Sequence, residues 1–167
     1  YCVLIGKKLG LPQEDLDKLR IGGLFHDIGK IGIPDNILKK ESKLTNEEYD
    51  EIQTHTSLGV DILTRNKVFK EIIPIVEYHH EKYDGNGYPF KLKGDEIPLA
   101  ARITAVADTF DAMTSKRSYR DPIPLIDVVE EFKKCSGTQF DPNIVNTFLD
   151  IINNEYDVIE EIQQKYN

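Results

Sequence analysis

The chain has 167 residues, 40% hydrophobic and 30% charged, with a formal net charge of −8. That length suits one domain with a proper core, residues 1 to 167. The charge excludes a surface built to coat nucleic acid, and no apolar run approaches a membrane span. Cys2 and Cys135 stand outside any CxxC spacing, which excludes a disulfide framework and implies reduced, buried or half-buried thiols of a cytoplasmic protein. Because the first residue is Tyr1 and the single methionine is Met113, the chain is expected to be an excerpt with something upstream of it.

The hydrophobic periodicity is helical nearly throughout. Residues 1 to 9 read as the tail of a helix stopped by Gly10. Pro12 opens a second helix, whose apolar positions Leu16, Leu19, Leu24 and Phe25 carry it toward Gly29. Pro34 starts a short helix over residues 36 to 40. TNEE, from Thr45 to Glu48, is a capping box that precedes a helix containing Ile52, His55, Val60 and Leu63. Residues 69 to 80 form a helix that ends in a histidine pair, His79 and His80.

Residues 82 to 97 form a loop in which Asp84, Gly85, Asn86, Gly87 and Pro89 are turn formers interleaved with Tyr83 and Tyr88. LAARITAVADTFDAMT returns to helix, and IPLIDVVEEFKKC is another. DPNIVNTFLDIINN begins with Asp141 as N-cap and Pro142 in the first position. The amphipathic final helix offers a face for self-pairing. No strand, repeat or linker stands out. The pattern predicts an all-α fold, about seven helices in an irregular bundle.

The four histidines all sit beside helix ends or carboxylates. A single histidine near apolar residues is usually a satisfied core residue, but the set is harder to explain that way. Imidazole and carboxylate together suit Zn, Fe, Mn or Ni. In the adjacent pair His26–Asp27, the imidazole can hold one metal while the carboxylate bridges to a second. Two metals roughly 3.5–4 Å apart favour phosphoester hydrolysis, because they activate water and neutralise phosphate charge. His79 and His80 at a fraying helix end can approach one metal from two directions. Asp108 and Asp111 lie one turn apart on the same helix face. Lys30, Arg117 and Arg120 follow the ligand-bearing segments, as phosphate holders would, although any one of them alone reads as a solvated charge. Arg102 is expected to pair with Asp108 or Asp111 and orient it.

HDIGK, QTHTSLG, HHEKYDGNGYP and ARITAVADTFDAMTSKRSYR occur in this order. In these motifs the chain resembles an HD-GYP domain, the bacterial branch of the HD phosphohydrolase superfamily. The resemblance covers about Leu19 to Arg120, and GTQFDP, Gly137 to Pro142, also fits. It implies an HD-domain-like helical fold. It implies metal-dependent hydrolysis of cyclic di-GMP to pGpG, and onward to GMP, in second-messenger signalling. It implies two or three divalent metal ions, Fe or Mn first, with Zn, Ni or Mg as other occupants.

Carried over by position, the resemblance makes His26, Asp27 and Asp108 ligands of a first metal, with Asp27 bridging. His55, His79 and His80 complete the shell of a second. Asp27 and Lys30 become the catalytic residues, and Lys30, Arg117 and Arg120 the substrate-phosphate contacts. Asp84, Gly85, Gly87, Tyr88 and Pro89 form the signature loop. Its glycines allow positive φ, its Tyr–Pro packs the turn, and its exposed face is open to a partner. Asp111 supports the ligands around it.

The resemblance further implies a GGDEF-type partner and an upstream sensory or receiver domain. The family's additional histidine, with a glutamate one turn earlier, would lie roughly two turns before Tyr1. The excerpt is therefore expected to be short of a ligand and poorly active by itself. Two rivals remain open: an HD-superfamily hydrolase of nucleotides or other phosphomonoesters, and an inactive module that binds a cyclic dinucleotide or docks to a GGDEF partner.

Overall fold

The computed structural model describes residues 1–116 and 121–166. Among these residues it is built of helices, joined by turns and by one isolated β-bridge, Ser136 with Phe140. In chain order they are α1 (Cys2–Lys8), α2 (Gln13–Phe25), α3 (Asp35–Leu38), α4 (Asn46–Gln53) and α5 (His55–Thr64). Next come α6 (Ile73–Tyr78), α7 (Leu99–Thr114), α8 (Leu125–Cys135), α9 (Pro142–Asn154) and α10 (Tyr156–Tyr166). Short 3-10 turns occupy Ile28–Gly32, Lys67–Ile72 and Gly94–Glu96. None of the described helices is long and apolar enough to cross a membrane.

The all-α expectation holds, but the helices are shorter and more numerous than their apolar spacing suggests, and each break has a local cause. The helix predicted through Ile52 and His55 is two, α4 and α5. At Thr54 both the backbone N–H and the hydroxyl turn back to the Glu51 carbonyl, 3.1 and 2.7 Å away, and the regular ladder is interrupted. The helix predicted over residues 69 to 80 begins as a 3-10 turn, because Pro74 has no N–H to continue the ladder and starts α6 instead. The second helix stops at Phe25 rather than near Gly29, just past the Gly22–Gly23 pair, where helix is least favoured. The short helix after Pro34 spans Asp35–Leu38 and not residues 36 to 40.

Other local signals are met directly. The Glu48 N–H donates to the Thr45 hydroxyl at 3.2 Å, and the Thr45 N–H donates to the Glu48 carboxylate at 2.8 Å. Asp141 caps α9 by accepting from the Asn143 N–H at 2.8 Å, with Pro142 in the first turn.

The main core lies where α7 meets α1, α8 and α9. Phe110, Phe132 and Phe148 are buried there, with ring centroids 4.9 Å apart for Phe110–Phe148 and 5.7 Å for Phe132–Phe148. Each such ring contributes about 1.5–3 kcal/mol relative to exposure. A smaller cluster, Leu63, Ile72 and Val76 with Phe25 and Ile28 against it, lies under α5 and α6. Together the two clusters fix the ends of α2, α5 and α6 and the middle of α7, the four places where histidines and aspartates project.

Arg102 does not reach Asp108 or Asp111. Its guanidinium bonds Asp141 at 2.6 Å and Asp95 at 2.7 Å, tying α7 to the cap of α9 and to the turn Gly94–Glu96. Arg102 stands six and nine residues before those aspartates on its own helix, so its side chain, which leans toward the helix N-terminus, meets the flanking loops instead.

Candidate metal centre

His26 lies at the end of α2, Asp27 just beyond it, His55 opens α5, and His79 caps α6 with His80 following. Three of the rings are oriented alike. His26 Nδ1 lies 2.8 Å from the Gly23 carbonyl, His55 Nδ1 2.6 Å from that of Ile52, and His79 Nδ1 2.9 Å from that of Val76. A carbonyl can only accept, so each Nδ1 carries the hydrogen and each Nε2 is left to face inward. This is the arrangement in which a metal-binding imidazole donates its other N–H to a fixed acceptor.

Those inward nitrogens converge on Asp27. Its Oδ1 lies 3.4 Å from His55 Nε2 and 3.8 Å from His79 Nε2. Its Oδ2 lies 3.3 Å from His26 Nε2, which is itself 3.5 Å from Asp108 Oδ1. His55 Nε2 and His79 Nε2 face each other at 3.5 Å. Asp27, His55, His79 and His80 each offer one donor atom, all within 4.8 Å of one another. His26 and Asp108 flank that set on the Oδ2 side of Asp27.

The electrostatics call for a cation. His26 Nε2 and Asp27 Oδ1 are buried without a well-formed hydrogen bond, at a cost that a bound ion would remove. Burial would lower the pKa of His26, but the Asp108 and Asp27 carboxylates outweigh it and raise the value to about 10. A proton therefore takes the cation's place between two carboxylates. Burial first, and then the neighbouring His79 and His55 rings, lower His80 to about 2, and burial lowers His55 as well. Both rings are thus neutral, as a metal ligand must be. Burial works against ionisation of Asp27, yet His26, His79 and Lys30 hold its carboxyl well below the usual carboxylate range. Against burial, His26 also lowers Asp108. The neutral rings of His55 and His80, the ionised Asp27 and Asp108, and a cation already favoured at His26 fit a divalent metal.

Lys30 lies at the mouth, its ammonium 2.5 Å from Asp27 Oδ2 and its side chain 42% exposed. Asp108 and His26 also line a cavity of about 620 Å³, with Leu19, Gly23, Thr104 and Asp111 among its walls. The two predicted phosphate contacts Arg117 and Arg120 lie outside the described residues.

The signature loop sits against His80. The Asp84 carboxylate accepts from the Asn86 N–H at 2.9 Å, and Gly85 has φ +89°. Gly87, expected to need positive φ, needs space instead: a Cβ there would strike the Lys82 nitrogen and the Glu81 backbone. The Tyr88 ring stacks on His80 with centroids 4.8 Å apart and planes 27° apart, and a cis peptide joins Tyr88 to Pro89. The loop is also bonded to the GTQFDP segment, through Tyr83 N–H to the Gln139 carbonyl and Asp84 N–H to that of Thr138.

Two contributors escaped the reading of the sequence. Gly29 lets the turn Ile28–Gly32 lie directly on α5, since a Cβ there would collide with the His55 carbonyl and the Gly59 nitrogen. That contact brings Asp27 to His55. Its signal is the glycine pair itself, Gly29 after HD and Gly59 four residues past His55. The other is Glu81, the third letter of HHE, which is buried.

An HD domain family model matches residues 1–144. The 3'3'-cGAMP-specific phosphodiesterase 2 of Vibrio cholerae serotype O1 is 43% identical over 155 residues, covering 90% of this chain and 29% of that protein. A cyclic di-GMP phosphodiesterase of Thermotoga maritima is 42% identical over 147 residues, covering 87% of this chain and 40% of that protein. The chain thus spans well under half the length of these relatives. An HDG"Y"P protein from Bdellovibrio bacteriovorus superposes with a TM-score of 0.73 at 19% identity, over 92% of this chain and 49% of that one. At that identity the likeness speaks for the fold.

Proposed function

Because the chain belongs to the HD domain family, we propose that it is an HD-GYP domain and supplies the catalytic centre of a metal-dependent phosphodiesterase that hydrolyses cyclic di-GMP to pGpG, and onward to GMP. The observation that carries this reading is the convergence of Asp27 with His55, His79 and His80 inside one 4.8 Å set, flanked by His26 and Asp108. His55, His79 and His80 would hold one divalent ion with Asp27 Oδ1. His26 and Asp108 would hold another with Asp27 Oδ2. Iron or manganese is the expected occupant, among the metals that this mixed nitrogen and oxygen set accepts.

When bound, such a metal pair supplies positive charge toward the phosphoryl oxygens and activates water for attack on phosphorus. The remaining work falls to the chain. The backbone carbonyls of Gly23, Ile52 and Val76 fix the rings, so the site is shaped before anything binds. Asp27 divides its oxygens between the two halves. Lys30 at the mouth is placed to exchange its bond to Asp27 for a phosphoryl oxygen, and Arg117 and Arg120 would add positive charge there. A GGDEF-domain partner would dock on the exposed face of the signature loop, and a sensory or receiver domain upstream would couple the centre to a signal.

One observation favours a second substrate. A relative sharing 43% identity bears the name of 3'3'-cGAMP, so that dinucleotide belongs in the same assay. The test is turnover by the full-length protein loaded with Fe(II) or Mn(II), offered cyclic di-GMP, 3'3'-cGAMP and a nucleoside monophosphate. Release of a linear dinucleotide is the expected result. Cleavage of the monophosphate alone, or tight binding of cyclic dinucleotides without cleavage, would overturn the reading.

A further inference from the structure

His80 differs from the other three histidines. Their rings are each held by a backbone carbonyl three residues earlier. Among the described residues, His80 has ring contacts only: Tyr88 stacked at 4.8 Å, His79 at 4.0 Å and His55 edge-on at 5.0 Å. Two of these neighbours belong to the same donor set, so the support that comes from outside it is Tyr88.

Tyr88 lies in a loop, and a loop ring holds a position only if its backbone is held. Glu81 does this. It is 4% exposed, and its two carboxylate oxygens are both used: Oε1 accepts from the Phe90 N–H at 2.7 Å and Oε2 from the Leu92 N–H at 3.1 Å. The Tyr88 N–H adds a bond to the His80 carbonyl at 3.2 Å. The chain leaves α6 at His80, makes the turn through Gly87, and is pulled back by the residue next to His80.

We propose that Glu81 is a positioning residue of the metal centre: its carboxylate clasps the Phe90–Leu92 backbone and so seats the Tyr88 ring that orients His80. The ligand affected is the divalent ion of the preceding reading, on which the metal arm of the test rests. A second arm does not need metal.

Glu81→Gln keeps the shape but leaves one acceptor for two N–H donors. Tyr88→Phe keeps the stacked ring, and Tyr88→Leu removes it. With Mn(II) or Co(II) as probe, Glu81→Gln and Tyr88→Leu each weaken metal affinity by about 10-fold or more, the range for groups that orient a ligand. Tyr88→Phe retains wild-type affinity. In a His80→Ala background Glu81→Gln causes no further loss, because the two act through one path. In metal-free protein, the His80 ring-proton resonances shift in Glu81→Gln and in Tyr88→Leu, as the ring current of Tyr88 moves away. Unmoved His80 resonances would overturn the proposal, whether or not the protein binds metal. So would an undiminished effect of Glu81→Gln in the His80→Ala background, or a lowered melting temperature with metal affinity intact. A wild type that binds no metal would sink the preceding reading and leave the resonance arm to decide this one.

Discussion

Asp27 directs one carboxylate oxygen at His55 and His79 and the other at His26 and Lys30. Its two oxygens thus serve the two halves of the site. Asp27→Ala is expected to take metal content from about two ions per chain to none, while His55→Ala leaves about one. Elemental analysis of the purified variants checks this, and full occupancy in Asp27→Ala would contradict it. At this scale the sequence is a good guide to which side chains meet. His26, Asp27, His55, His79, His80 and Asp108 are singled out by residue type and motif, and the structure brings them together. It is a poor guide where a residue's role depends on its partner. Arg102 has its partners seven and 39 residues away in the chain, and nothing in a helix of alanines and isoleucines says which loop its guanidinium will meet.

The elements meet at the site through backbone as much as through side chains. The turn Ile28–Gly32 lies on α5 so closely that Gly29→Ala must push the two apart. Overpacking of this kind costs about 1–3 kcal/mol, and here it also moves Asp27 away from His55. Urea unfolding should show the loss of stability, and metal titration a parallel loss of affinity; a variant as stable and as metal-tight as wild type would refute the close approach. Arg102 joins α7, α9 and the turn Gly94–Glu96, but its two ion pairs differ in worth. The Asp141 side chain is 4% exposed and that of Asp95 is 87% exposed. Asp141→Asn should therefore cost up to about 3–5 kcal/mol, the penalty for breaking a buried pair. Asp95→Asn should cost about 0–1 kcal/mol, the worth of an exposed one. Equal losses in urea titrations would mean that burial does not separate them. Helix type was legible from apolar spacing, since α7, α8 and α9 pack one face on a common core. The breaks at Thr54 and before Pro74 were not, because each follows from a local hydrogen-bond choice that apolar spacing does not encode.

For the whole molecule, metal binding at the proposed site would be coupled to folding. Donors from α2, α5, α6, α7 and the turn after α2 share one centre, so a bound ion stabilises the native chain and not the unfolded one. At a free metal concentration of 100 times Kd the gain is about 2.7 kcal/mol, which raises Tm by roughly 5–11 °C for a domain of this size. Scanning calorimetry with and without a chelator measures it, and an unchanged Tm would mean that the centre is not a metal site.

The central claim is that Asp27 lies between two cations, and it is tested most directly by anomalous diffraction from crystals soaked in Mn(II) or grown with iron. The predicted map has one peak among His55, His79, His80 and Asp27 Oδ1, and a second beside His26, Asp108 and Asp27 Oδ2. A metal-soaked crystal with no peak at Asp27, or with its only peaks on surface carboxylates elsewhere, would contradict it.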